Sequence, residues 1–134
     1  MKFLADTNVL LRWVDSGSPL HTVCLEAVRH LVKQGWDACI CAQVLIEFWA
    51  VATRPAEVNG MGLSISDATR DLADLEVAFT CLPEPPDMAK RWREVVTRYD
   101  VLGKQAHDAR LVALMLSHGI EHLITLNPQD FTRN

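Results

Sequence analysis

The chain has no long hydrophobic run. Apolar residues make up 49% of its 134 residues, yet no stretch approaches the roughly 18 consecutive apolar residues of a membrane-spanning helix. The opening MKFLADTNVLL is interrupted by Asp6 and is too short for the apolar core of a secretion signal. A cytoplasmic protein with no membrane partner is therefore expected. Positive charge is also scarce: 13 Lys and Arg face 17 Asp and Glu, for a formal net charge of −4. A domain that holds nucleic acid constitutively is usually basic, so a tight DNA-binding module is disfavoured. The acidic balance suits an enzyme whose surplus carboxylates hold a metal, or a chain that pairs with a basic partner. The four cysteines (Cys24, Cys39, Cys41 and Cys81) include no C-x-x-C pair, and no His follows at a zinc spacing. They are expected to be buried, reduced thiols. Repeats and low-complexity tracts are absent too. With 22% charged residues the composition is near the globular average, which excludes wholesale disorder. The length suits one compact domain, 1–134.

Short apolar runs alternate with longer amphipathic ones. Residues 2–6 read as a buried strand ended by a carboxylate, and 37–41 as a second strand. Helices are expected over 19–34, closed by Gly35, and over 43–53, stopped ahead of Pro55. Residues 57–63 carry Asn-Gly and Met-Gly steps and read as a loop. Ser64 with Asp67 resembles a capping box opening a helix to about residue 75, and 76–82 is a β-like run. Pro85 and Pro86 lead into a helix to about residue 98. The most periodic helix spans 104–117, closed by Gly119, and 121–125 is the last strand. Strands separated by helices predict a three-layer α/β/α sandwich with a central parallel sheet. In such sheets the ligand site lies beyond the carboxyl ends of the strands.

Three carboxylates stand out by position. Asp6 ends an apolar strand and precedes Val9, Leu10 and Leu11, so its surroundings should be largely dehydrated. Glu47 is the only acid between Asp37 and Glu57, and on a helix it shares a face with Val44, Ala50, Val51 and Arg54. Asp108 shares a face with Leu111, Val112 and Met115, which should be the buried one. A buried carboxylate is costly unless compensated. A shared divalent cation compensates several at once, and Mg²⁺ or Mn²⁺ prefers oxygen donors. Each acid taken alone is equally open to reading as a helix cap, a partner of a cation such as Arg54, or a solvated charge. Periodicity does not show that the three converge.

Four segments carry a resemblance. Ala5-Asp6-Thr7-Asn8-Val9-Leu10-Leu11 resembles the D-T-N/S-hydrophobic start of PIN domains. Glu47-Phe48-Trp49 followed by Thr53-Arg54-Pro55 resembles their second motif, and the run from Gly103 through His107-Asp108-Ala109-Arg110 to Ala113 resembles the third. Leu123-Ile124-Thr125-Leu126-Asn127-Pro128-Gln129-Asp130-Phe131 resembles the closing T-x-N/D-x-x-D-F segment. They fall in the family's order and spacing over residues 1–131, and the chain is most similar to VapC-type toxins of bacterial toxin–antitoxin pairs. The resemblance implies a PIN-like fold and a Mg²⁺- or Mn²⁺-dependent endoribonuclease. It also implies an RNA substrate, a cognate antitoxin and a homodimer. By position Asp6, Glu47 and Asp108 match the family's metal-binding carboxylates. Where many members have a fourth Asp this chain has Asn127, which offers only a neutral oxygen. Asp130 is the other candidate for that place, or neither serves.

Thr7 and Asn8 follow the first acid. Thr7 either orients a carboxylate or water from outside the metal shell, or caps the helix that begins near Asn8. Lys104, Arg54 and Arg110 are candidate phosphate contacts or salt-bridged, solvated cations. Trp13, Trp36, Trp49 and Trp92 are expected to pack in a core or interface rather than stack on bases. His107 lies about 100° around the helix from Asp108 and is assigned no role. Two other functions compete. A phosphotransfer domain of the HAD type needs a second Asp two residues after the first, where Asn8 stands. A PIN-like module that binds RNA or a partner without cutting fits the departure at Asn127.

Overall fold

The computed structural model describes residues 1–131, leaving aside the side chain of Asp130. Four parallel strands form one sheet: β1 (Lys2–Ala5), β2 (Asp37–Cys41), β3 (Thr80–Leu82) and β4 (His122–Ile124), in the order β3-β2-β1-β4. Leu4 lies opposite Cys39 on one side and Leu123 on the other. Phe3, Leu4 and Ala5 are fully buried, as a continuous apolar run must be when helices cover both faces of a parallel sheet. The helices are α1 (Thr7–Val14), α2 (His21–Lys33), α3 (Ala42–Thr53), α4 (Ile65–Ala78), α5 (Met88–Arg98) and α6 (Gln105–His118).

Strand order decides which face each helix covers. The chain steps from β1 to β2 to β3 in one direction, then returns across the sheet to β4. Parallel crossovers are right-handed, so the two directions put α1–α4 on one face and α5–α6 on the other. The contacts agree: α1 packs on α2 and α3, α3 on α4, and α5 on α6. Val95, Ala109 and Ala113 form a small second core between α5 and α6, while Leu111, Leu114 and Met115 join α6 to the main one.

Local chemistry accounts for the ends of these elements. The Ser64 hydroxyl accepts from the Asp67 amide at 3.0 Å, the expected cap of α4. α3 gives way at Arg54, which is extended ahead of Pro55. Gly119 closes α6 at φ 66°, and its amide bonds the Leu116 and Met115 carbonyls. The expected loop at 57–63 contains a turn of 3₁₀ helix at Ala56–Val58. A β-carbon on Gly60 would stand 1.9 Å from the Arg54 carbonyl oxygen, so that position admits glycine only.

Two expectations are corrected. The β-like run at 76–82 begins as helix, because α4 continues to Ala78. Leu72 and Leu75 pack inward at helical spacing while Val77 is exposed, so the Val77/Phe79 alternation is accidental. Cys24, Cys39 and Cys41 are buried, but Cys81 is exposed. β3 is the edge strand, and its outer rim faces solvent there. Burial pushes the Cys39 thiol up to about 11, with the nearby Asp37 charge adding to the rise, so it stays protonated and unreactive at neutral pH.

Candidate active site

The order of strand addition reverses beside β1, where β4 is laid down after the chain has already moved toward β3. Just past the carboxyl ends of those two strands is where open α/β sheets bind ligands. Asp6 follows β1 and Thr125 follows β4. The Asp6 amide bonds the Ile124 carbonyl at 2.9 Å, which continues the β1–β4 ladder one step and brings the two residues side by side.

Asp6 is 8% exposed, and named donors offset its burial. Its Oδ1 accepts from the Thr7 amide at 2.8 Å, so the carboxylate caps α1 and meets the positive end of that helix. Its Oδ2 accepts from the Thr125 hydroxyl at 2.9 Å and, at the 3.5 Å limit, from the Asn8 amide. Asn8 also donates to Thr125 Oγ1 at 3.2 Å and accepts from the Leu126 amide at 3.0 Å, so one side chain pins the start of α1 to the chain leaving β4. These bonds hold a charged carboxylate in one orientation at the sheet edge.

Glu47 reaches the same edge from α3. Its Oε2 accepts from the Thr7 hydroxyl at 3.1 Å, and its Oε1 accepts from Gln43 Nε2 at 2.8 Å, one helical turn earlier. Thr7, 7% exposed, therefore links both acids: its amide binds Asp6 and its hydroxyl binds Glu47. Gln43 Nε2 also donates to the His107 carbonyl at 2.7 Å. That bond draws the first turn of α6, where Asp108 sits, against α3. Elements from both faces of the sheet thus meet beside the switch point.

The structure brings Asp6, Thr7 and Glu47 together through the amide and hydroxyl of Thr7. Asp108 is half-buried rather than buried, because it stands in the first turn of α6 ahead of the packed Leu111 and Met115. Arg54 does not pair with Glu47, whose partners are Thr7 and Gln43. Arg110 is engaged in an ion pair with Glu84, while Lys104 and Arg54 are exposed. Asn127 is exposed, and its amide donates to Thr125 Oγ1 at 3.1 Å. The Asp130 side chain lies outside the described residues. All four tryptophans pack against a core, and Trp92 Nε1 is held by the Ala106 carbonyl at 2.8 Å. Asn8, Gln43 and Thr125 carry most of the site's hydrogen bonding, and the sequence expectations gave none of them that work. For Gln43 the only available signal was its i, i+4 spacing from Glu47.

The donor chemistry is that of a hard-cation site: oxygen ligands, at least one deeply buried, with orienting hydroxyls and amides behind them. Among the described residues, no three His, Cys, Asp or Glu side chains stand close enough to enclose an ion as they are. The acids fit a cation in kind and share one edge, but do not form a closed cage.

A parallel three-layer domain with two acids, Asp6 and Glu47, linked through Thr7 at its switch point is the class that fold and site define. The PIN domain family model matches residues 3–134, and the chain belongs to that family. A search of curated proteins finds no match by sequence. Among solved structures the chain is similar to VapBC2 of Rickettsia felis bound to a promoter DNA fragment, at 14% identity, TM-score 0.73, and 99% and 92% coverage of the two chains. It is also similar to VapC20 of Mycobacterium tuberculosis, a sarcin–ricin loop cleaving toxin, at 17% identity, TM-score 0.71, and 97% and 93% coverage. VapBC-1 of nontypeable Haemophilus influenzae gives 15% identity, TM-score 0.71, and 99% and 92% coverage. At such identities the likeness is one of fold. Among the described residues no helix is long and apolar enough to cross a membrane.

Proposed function

We propose that this protein is a Mg²⁺- or Mn²⁺-dependent endoribonuclease, acting as the toxin of a toxin–antitoxin pair. The observation that carries this reading is the buried, helix-capping Asp6, linked through Thr7 to Glu47 at the carboxyl edge of the central strands. Asp6, Glu47 and Asp108 would hold the ion. Bound there, Mg²⁺ or Mn²⁺ supplies activation of a water and neutralisation of phosphate charge. The chain's own residues do the rest. Thr7, Thr125 and Asn8 keep the Asp6 oxygens in place, and the net charge of −4 makes phosphate approach depend on cation loading. Asn127 and Asp130 remain candidates for a fourth position. A cognate antitoxin, a homodimer and a cytoplasmic setting belong to the same proposal, supported by the family and by the VapBC complexes among the similar structures.

The test is cleavage of a panel of structured RNAs by the purified protein with Mg²⁺, Mn²⁺ or EDTA. Cutting with either metal and none in EDTA is the expected result. Cutting that persists in EDTA overturns the metal role, and folded protein that binds metal without cutting favours a binding module.

Thr125→Val removes the hydroxyl that donates to Asp6 and accepts from Asn8 and the Asn127 amide while preserving shape. Cation affinity, read by calorimetry with Mn²⁺, is expected to fall about 10- to 100-fold, the usual cost of losing an orienting group behind a metal ligand. An affinity within twofold of wild type would show that Thr125 does not orient Asp6 for metal.

A further inference from the structure

Gln43 is 5% exposed, a level rare for glutamine. Its Nε2 carries two hydrogens and spends both, on Glu47 Oε1 at 2.8 Å and on the His107 carbonyl at 2.7 Å. The orientation of the amide is fixed by chemistry: exchanging nitrogen and oxygen would set the oxygen against two acceptors at those distances. Oε1 is left buried with no hydrogen-bond partner among the described residues. A buried amide oxygen is poorly tolerated without a donor. Both acceptors of Nε2 belong to segments that carry acids: Glu47 itself, and the residue preceding Asp108.

We infer that Gln43 is the positioning residue of the proposed cation site: its amide clasps α3 to the first turn of α6 and sets Glu47 relative to the segment that carries Asp108. The inference rests on the metal-dependent reading above. Two features select this role over simple core packing. The clasp spans the two faces of the sheet, joining residues 64 positions apart. It uses the Glu47 oxygen that Thr7 does not, so each oxygen of that carboxylate receives one donor and keeps lone-pair capacity for a cation.

Mn²⁺ binding by the full chain, measured by calorimetry without RNA, tests the role apart from activity. Gln43→Leu keeps the bulk and removes all three polar functions, and Gln43→Met is a second variant of similar volume should the first fold poorly. Leu75→Ala, a buried change in α4 that touches none of these bonds, controls for general destabilisation. The expected result is Mn²⁺ affinity 10- to 100-fold weaker in the folded Gln43 variants and unchanged in Leu75→Ala despite its lower Tm. Affinity equal to wild type in a folded Gln43 variant, or an equal loss in Leu75→Ala, overturns the role of Gln43 alone. No Mn²⁺ binding by wild type overturns it together with the metal-dependent reading.

Discussion

Asp6→Asn should lower metal-dependent RNA cleavage at least about a hundredfold, the scale on which removing one preorganised electrostatic group slows an enzyme, while lowering Tm only modestly. The separation follows from the two tasks of this side chain. As the cap of α1 it accepts the Thr7 amide, and asparagine caps as well as aspartate does. As the proposed ligand it supplies a charge that asparagine lacks. The Thr125 hydroxyl and Asn8 amide donate to Oδ2; in the variant the single oxygen keeps the cap on Thr7 and Nδ2 takes the Oδ2 place, where it cannot accept from them, so part of the orienting network is lost with the charge. Thermal melts, Mn²⁺ calorimetry and single-turnover cleavage on the same preparation check the three parts. Asp6→Ala should behave differently, losing about 1 kcal/mol of stability with the cap as well as the activity. Cleavage by Asp6→Asn within tenfold of wild type would remove Asp6 from the mechanism.

Asp6 was legible because two independent rules met on it. A carboxylate ending an apolar run is conspicuous under the cost of burial, and the carboxyl end of a first parallel strand is where a site is expected. Glu47 lay on a helix whose residues are apolar around much of its circumference, so the face it shares with Val44, Ala50, Val51 and Arg54 was not marked as a site and its place rested more on the motif resemblance. Asp108 was assigned to a buried face because Leu111, Val112 and Met115 follow it at helical spacing. In the fold Asp108 itself is only half-buried, and full burial starts with Ala109 and Leu111. What could not be read were the cross-links. Asn8 bonds Thr125 across 117 positions, and Gln43 bonds the His107 carbonyl across 64. A polar residue on a strand end or helix gives no local sign of a partner that only the topology brings near. The strand–helix alternation did carry the layer architecture, because a parallel sheet needs a crossover between each pair of strands. The strand order β3-β2-β1-β4 needed the long return from β3 to β4, and no local propensity encodes that.

Phe48→Ala should destabilise the fold by about 3–5 kcal/mol, the largest single stability effect expected at this site's helix. Phe48 is fully buried and follows Glu47 directly, so these adjacent positions, about 100° apart around α3, serve different sides of the helix. Glu47 turns to Thr7 and Gln43 at the sheet edge; Phe48 turns into the main core with Val44 and Ala52. Truncation leaves a cavity bounded by helices tied on several sides, since α3 packs on α1, α4 and β2, and such a site collapses only partly. Against a total stability of roughly 5–15 kcal/mol for a domain, that loss consumes a large share. Unfolding of a domain this size is expected to be two-state, and at roughly 3–4 °C for each kcal/mol Tm should drop by about 10–20 °C. Denaturant titration should show the midpoint falling with an unchanged slope. Measured below the lowered midpoint, the folded protein should keep most of its Mn²⁺ affinity, because none of the bonds around Asp6 and Glu47 passes through Phe48. Loss of Mn²⁺ affinity in fully folded Phe48→Ala would mean that the position of Glu47 is set by core packing of α3 rather than by its bonds to Thr7 and Gln43.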